Sequence, residues 1–232
     1  LAKRDSMATI EETLIDPTTS PAELSPANHE HLERCASDIR SARETGASVM
    51  CIFGAHLIKN GAQALLNRLI GEDWITHLAT NGASVIHDWE WAFHGQSTEC
   101  VRSNVATGTF GAWEETGRYL HLALLAGAVN GEGFGHSVSR MIAEDGVTLP
   151  KKAELETQLR DEPGHPLSPA RADLLQAMQQ HNLAEGPHEI SHKWKSSCVL
   201  SSAFAHKVPY TVHPGIGYDI ISNHPMFNGA AL

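Results

Sequence analysis

Positive charge is scarce in this sequence, close cysteine pairs are absent, and no apolar run is long. Its 232 residues carry 17 Lys and Arg against 27 Asp and Glu, a net charge of −10, so a basic face gripping a nucleic-acid backbone is not expected. An acidic surface suits a cationic ligand better. Cys35, Cys51, Cys100 and Cys198 lie far apart with no C-x-x-C pair, which argues against a disulfide framework and for a reducing, cytoplasmic setting. No stretch approaches the ~20 apolar residues of a membrane span, and no basic segment followed by an apolar one marks export. Without an H-E-x-x-H, the 15 histidines offer only loose pairs, such as His87 with His94 or His188 with His192, and no metal is assigned. The glycines of Gly131–His136 follow a helix and lack G-x-G-x-x-G spacing, so they read as an inter-helix connection.

What is present is a hydrophobic fraction of 41%, enough for a sizeable core, and a repeated strand–turn–helix pattern. Trp74–His94 reads WITHLATNGASVIHDWEWAFH. Ile75–Ala79 has strand length, Thr80–Ser84 is a cluster of small residues, and Val85, Ile86, Trp89 and Phe93 recur at helical period. Backbone N–H groups at such a helix start are unpaired and partly positive, and Gly82 and Ala83 lack the bulk that would hold a phosphate away. His87, Asp88 and Glu90 follow where polar side chains border whatever the turn holds. The same residues also fit an ordinary turn with Ser84 as the helix cap.

Upstream, Ala47–Phe53 (ASVMCIF) is expected as a strand buried on both faces, and Gly54–Gly61 repeats the turn into a helix reaching about Ile70. Lys59 there either offers a charge to a phosphate or is a solvated helix residue. Downstream, Val208–Val212 reads as a third strand and His213–Asp219 as a third glycine-bearing turn into a helix from Ile220. Asp219 either holds an amine or caps that helix. Three such units imply βαβ connections, parallel strands and a ligand crevice at their carboxyl ends.

The remaining segments frame this pattern. Leu1–Asn28, with Pro17, Pro21 and Pro26, is expected as an extended polar arm. His29–Glu44 reads as an amphipathic surface helix, Gly95–Glu115 as a connection, Trp113–Val129 as a core helix, and Lys151–Arg160 and Ser168–Gln180 as inserted surface helices. The expected fold is α/β, a Rossmann-like parallel sheet flanked by helices over residues 29–232. The start at Leu1 and the stop at Asn228–Leu232, in what reads as mid-element, give the expectation of a fragment truncated at the C-terminus.

The segment CIFGAHLIKNGAQALLNRLI, followed by ITHLATNGASVIHDWEWAF, resembles the first two strand–turn–helix units of the deoxyhypusine synthase family, and VPYTVHPGIGYDII resembles its later strand and acidic turn. The similarity covers about Val49–Phe93 and, less fully, Lys207–Ile221. It implies NAD as cofactor, a homotetramer with interfacial active sites, and transfer of an aminobutyl group from spermidine through a lysine imine to an acceptor. That acceptor is a protein lysine in some members and a small amine in others.

Carried over by position, Ala55, His56, Leu57, Ile58 and Lys59 fall on the first NAD-contacting turn, and Asn81, Gly82 and Ala83 on the second. His87 stands where the family has a polyamine-binding glutamate, Ile86 replaces the acid beside it, and Asp219 matches a polyamine-facing aspartate. The family's imine-forming lysine lies beyond Leu232, so no catalytic residue is assigned. The resemblance implies an NAD-dependent aminobutyl transferase acting on spermidine or a related polyamine, provided a longer parent supplies the lysine. The alternative is a non-catalytic NAD- or nucleotide-binding or assembly protein of the same fold.

Overall fold

The computed structural model describes residues 1–215, 217–229 and 231. Its first residues are not an extended arm. Ser6–Thr9 forms a strand, β1, and Ile10–Thr13 a short helix, α1, while Leu1, Arg4 and Ile10 are buried. Prolines break the chain only after this docked segment: Pro17 and Pro21 fall in an irregular stretch, and Pro26 opens helix α2 (Pro26–Glu44), where Ser25 accepts a hydrogen bond from the Asn28 N–H at 3.3 Å. A proline in the first turn lacks only a donor the helix could not use. Helix α2 buries none of its residues.

Two strand–turn–helix units follow, β2 (Met50–Ile52) with α3 (Ala55–Lys59) and α4 (Gln63–Gly71), then β3 (His77–Thr80) with α5 (Gly82–His94). The connection expected after His94 instead holds β4 (Gln96–Glu99) and α6 (Val101–Thr107). Beyond it run α7 (Glu114–Ala128), α8 (Phe134–Glu144), β5 (Gly146–Leu149), α9 (Lys152–Asp161), α10 (Ser168–Gln180), β6 (Gly186–Glu189), α11 (Val199–Ala205) and β7 (Tyr210–Val212). After β7 the expected helix from Ile220 is a single 3₁₀ turn, Ile220–Asn223.

The fold is Rossmann-like. β2, β3 and β7 form a parallel sheet in that order, with Cys51 opposite Leu78 and Leu78 opposite Tyr210. Antiparallel pairs β1–β4 and β5–β6 stand beside it. Leu78 and Tyr210 are buried, yet Met50 and Ile52 are 50% and 76% exposed, so the apolar run Ala47–Phe53 is not buried on both faces. The order β2, β3, β7 advances across the sheet in one direction, and right-handed crossovers then stack their helices on one side. β2 and β7 are the two edge strands of that sheet.

Helix α5 lies at the centre, with Val85, Ile86, Asp88, Trp89, Glu90 and Trp91 all buried. Trp89 stacks on Phe93 at 4.8 Å and its indole N–H donates to His192 Nε2 at 3.1 Å. The inserted pair is not confined to the surface, since Leu155 of α9 and Leu174 and Met178 of α10 enter the core. Among the described residues no helix is long and apolar enough to cross a membrane.

Candidate functional site

The carboxyl ends of the three parallel strands are tied to one another by the turns that follow them. Phe53 N–H donates to the Ala79 carbonyl at 3.0 Å, the Thr80 hydroxyl donates to the Phe53 carbonyl at 2.7 Å, and His213 N–H donates to the Thr80 carbonyl at 2.8 Å. The first turn meets the second, because a Cβ on Gly54 would stand 3.9 Å from Asn81 Nδ2. The second meets the third more closely: a Cβ on Gly82 would collide with the Asp219 carboxylate. Gly82 is therefore required by close approach, not by backbone twist.

Asn81, not Ser84, caps α5, its Oδ1 accepting from Ser84 N–H at 3.0 Å. Asp219 also serves as a cap, accepting from Ile221 N–H at 3.3 Å. The structure thus brings Gly54, Asn81, Gly82 and Asp219 to one rim. Of the first-turn residues, Ala55, His56, Leu57 and Lys59 keep some exposure, whereas Ile58 is fully buried and its side chain belongs to the core.

Below the rim a cavity of about 160 Å³ is lined by Lys59, Ala83, His87, Thr98, Glu99 and Phe110. It shares Ile86, Glu90, Glu99, Phe110 and Ile220 with a second cavity of about 230 Å³ that reaches Trp113 and His224. Between them sits a buried polar chain. Arg4 grips Glu90 with two guanidinium N–H groups at 2.7 and 2.8 Å, the Ser97 hydroxyl donates to Glu90 at 2.8 Å and the Thr116 hydroxyl at 3.1 Å. His87 Nδ1 lies 2.7 Å from Ser97 Oγ, and the Arg4 guanidinium rests 5.6 Å over the Trp113 ring. Burial pulls the His87 pKa below the usual histidine value, against the pull of Glu90.

Thr98, between Ser97 and Glu99, is held at φ +69°, a left-handed conformation that a β-branched residue adopts only under constraint. Thr98→Gly is expected to relieve that strain and raise the unfolding free energy by about 1 kcal/mol, which a urea midpoint would show.

The rim follows from the strand–turn–helix repeat, but Arg4, Ser97 and Thr116 do not. Arg4 is 86 residues from Glu90, and β4 carries no apolar alternation to mark it as a strand. The one signal was two acids, Asp88 and Glu90, inside a helix rich in Val, Ile and Trp, since buried acids require donors. Asp88 finds them at the start of α11, where the Cys198 thiol and the Val199 and Leu200 N–H groups donate to it at 3.2, 3.2 and 2.8 Å. His188 and His192 separate: one contacts the Ala184 carbonyl and the other lies under Trp89.

A family model described as the C-terminal Rossmann fold of arginine dihydrolase ArgZ-like proteins matches residues 33–184. No curated protein matches the chain. Among solved structures, the crystal structure of a conserved LOR/SDH protein from Methanococcus maripaludis S2 is similar at 15% identity and a TM-score of 0.38, over 89% of this chain. The chain spans 46% of the length of that protein.

The family match overturns the resemblance to deoxyhypusine synthase. Strands leading through small residues into helices belong to Rossmann folds at large, so three of them in order imitate one family while identifying only the architecture. The aminobutyl transfer, the spermidine substrate and the polyamine-binding roles of His87 and Asp219 fall with that resemblance. Folds of this type commonly bind nucleotide cofactors at the ends of their strands. The matched residues contain the first two turns and stop before β7 and Asp219.

Proposed function

We propose that this chain, which belongs to the ArgZ-like C-terminal Rossmann-fold family, binds a nicotinamide dinucleotide, NAD, along the carboxyl rim of β2, β3 and β7. The observation that carries the reading is the mutual contact of the three turns, with Gly54 beside Asn81 and the Asp219 carboxylate packed against Gly82. Lys59 supplies a cation and His56 a ring N–H donor for the pyrophosphate. Asp219 accepts hydrogen bonds from ribose hydroxyls and repels an added phosphate, which favours NAD over its 2′-phosphorylated form. When bound, the dinucleotide supplies a hydride acceptor or donor, and the cavity lined by Lys59, His87 and Glu99 is the place for a small substrate. The family description puts this domain at the C-terminus of arginine dihydrolase-like proteins, and the dihydrolase activity is not assigned to it.

Calorimetric titration of the full chain tests this. NAD is expected to bind saturably. Gly82→Ala is expected to weaken binding by roughly tenfold or more, about 1.4 kcal/mol, because the new Cβ pushes the third turn off the rim. Asp219→Asn is expected to narrow the gap between NAD and NADP. Absence of NAD binding, or Gly82→Ala binding like the parent, would overturn the proposal.

A further inference from the structure

Helix α2 leaves an apolar stripe uncovered. None of its 19 residues is buried, and Leu32, Cys35, Ile39 and Ala42 recur at steps of three, four and three, the spacing of a coiled-coil seam. Most helices owe their stability to the packing of such a stripe. The support α2 has within the chain lies toward its ends: the Ser25 cap, a His29–Glu33 contact at 4.0 Å, and Arg43 donating to the Ala47 and Asp73 carbonyls. Between the stripe and the chain entering β2 runs a groove of about 360 Å³, lined by Arg34, Cys35, Asp38, Ile39, Ala42 and Val49 among others. On the same two elements Leu32, Met50 and Ile52 are 55%, 50% and 76% exposed. The chain as a whole exposes 12491 Å², where a monomeric protein of 25.1 kDa exposes roughly 10,300 Å². The excess, about 2,000 Å², is of the size one subunit brings to a large homodimer interface.

We propose that the occupant of this groove is a second copy of the chain, its α2 laid antiparallel to the first about a twofold axis. The patch that needs cover and the patch that supplies it are then the same, as an isologous interface requires. Antiparallel pairing sets Leu32 against Ala42 of the second copy and Cys35 against Ile39 of the second copy, so that each layer of the seam faces a large side chain with a small one. It also brings Arg34 close to the height of Asp38 of the second copy, twice over. A parallel pair would oppose like with like at both positions. Charge favours a like partner as well. Helix α2 carries Glu30, Glu33, Asp38 and Glu44 against Arg34, Arg40 and Arg43, close to balance in a chain of net charge −10, so two copies meet here with less repulsion than on an average face. The groove adjoins the amino end of β2, whereas the rim lies at the carboxyl ends of the strands, and the inference does not rest on the NAD reading.

Sedimentation velocity of the full chain at micromolar concentration tests this. The parent is expected to sediment as a dimer, and Ile39→Asp as a monomer that keeps the near-ultraviolet circular dichroism of the buried Trp89 and Trp91. Arg34→Asp alone and Asp38→Arg alone each place like charges across the seam, and each is expected to weaken dimerisation by roughly tenfold or more. Mixed in equal amounts, the two charge variants regain opposite charges at both contacts, and a heterodimer close to the parent in affinity is expected. A monomeric parent would give the groove to a different protein and overturn the proposal. A dimer that survives Ile39→Asp, or a mixture of the two charge variants that associates no more tightly than either alone, would overturn it too.

Discussion

Replacing Arg4 by methionine is expected to lower the unfolding free energy by about 3–5 kcal/mol, the loss seen when one partner of a buried ion pair is removed. The side chains of Arg4 and Glu90 are each 2% exposed, so water cannot enter to solvate a carboxylate left behind. Two hydroxyl donors, Ser97 and Thr116, would remain to it, too few for a full charge in this surrounding. Urea midpoints at pH 7 measure the loss. The double variant Arg4→Met, Glu90→Leu removes both charges and is expected to recover most of the stability, because the pair itself adds little over apolar side chains of similar size. A double variant as unstable as the single one would show that Arg4 acts by packing on Trp113 and not through Glu90.

That pair also shows where the sequence was readable and where it was not. The strand–turn–helix units at Met50–Lys59 and His77–His94 are written locally, in an apolar run, a small-residue turn and a helical period, and the parallel sheet follows from their repetition. The packing of the first residues is not written locally. Leu1–Thr13 is polar in composition, and its burial depends on Glu90 and on pairing of Ala8 with Ser97 in β4, partners that only the folded chain supplies. The apolar run Ala47–Phe53 misleads for a related reason: hydrophobicity predicts a covered strand, but coverage depends on what packs over its faces, and Met50 and Ile52 of β2 are left exposed. His87 illustrates the cost of a borrowed role. Its position invited a polyamine contact, whereas in the fold its Nδ1 lies 2.7 Å from the Ser97 hydroxyl of β4, which donates to Glu90 one helical turn along α5. Asp88, beside it, turns away from the rim to cap α11.

Acidification from pH 7 to 4.5 is expected to destabilise the protein by about 4 kcal/mol, through histidines that the fold keeps neutral. Burial pulls the pKa of both His121 and His192 down to about 4 from an ordinary 6.5. His192 receives the Trp89 indole N–H on Nε2 and could be protonated there only by breaking that bond. His121 contacts the Gly117 carbonyl through Nδ1 and stacks on His224 at 5.5 Å. Below pH 6.5 the unfolded chain binds protons at these rings and the folded chain does not, so stability falls as pH falls until the folded values are reached. Two pKa units at about 1.4 kcal/mol each make the loss roughly 3 kcal/mol per ring by pH 4.5. Asp88 works the other way. Burial outweighs its three donors and raises its pKa to about 6 from 3.8, so the folded chain takes up a proton first and regains about 2 kcal/mol over the same interval. Glu114, held down chiefly by its bond to His224, and Asp145, held down by Lys195 and the His192 N–H despite its burial, titrate in the unfolded chain only near 4.5 and 3.8, at or below the end of the window. The neutral His87 adds to the loss. Replacing His192 by glutamine keeps an acceptor for Trp89 and removes one titrating ring, so between pH 7 and 4.5 the variant is expected to lose about 3 kcal/mol less than the parent by urea midpoint. A variant that declines as steeply as the parent would shift the acid sensitivity to groups other than this buried imidazole.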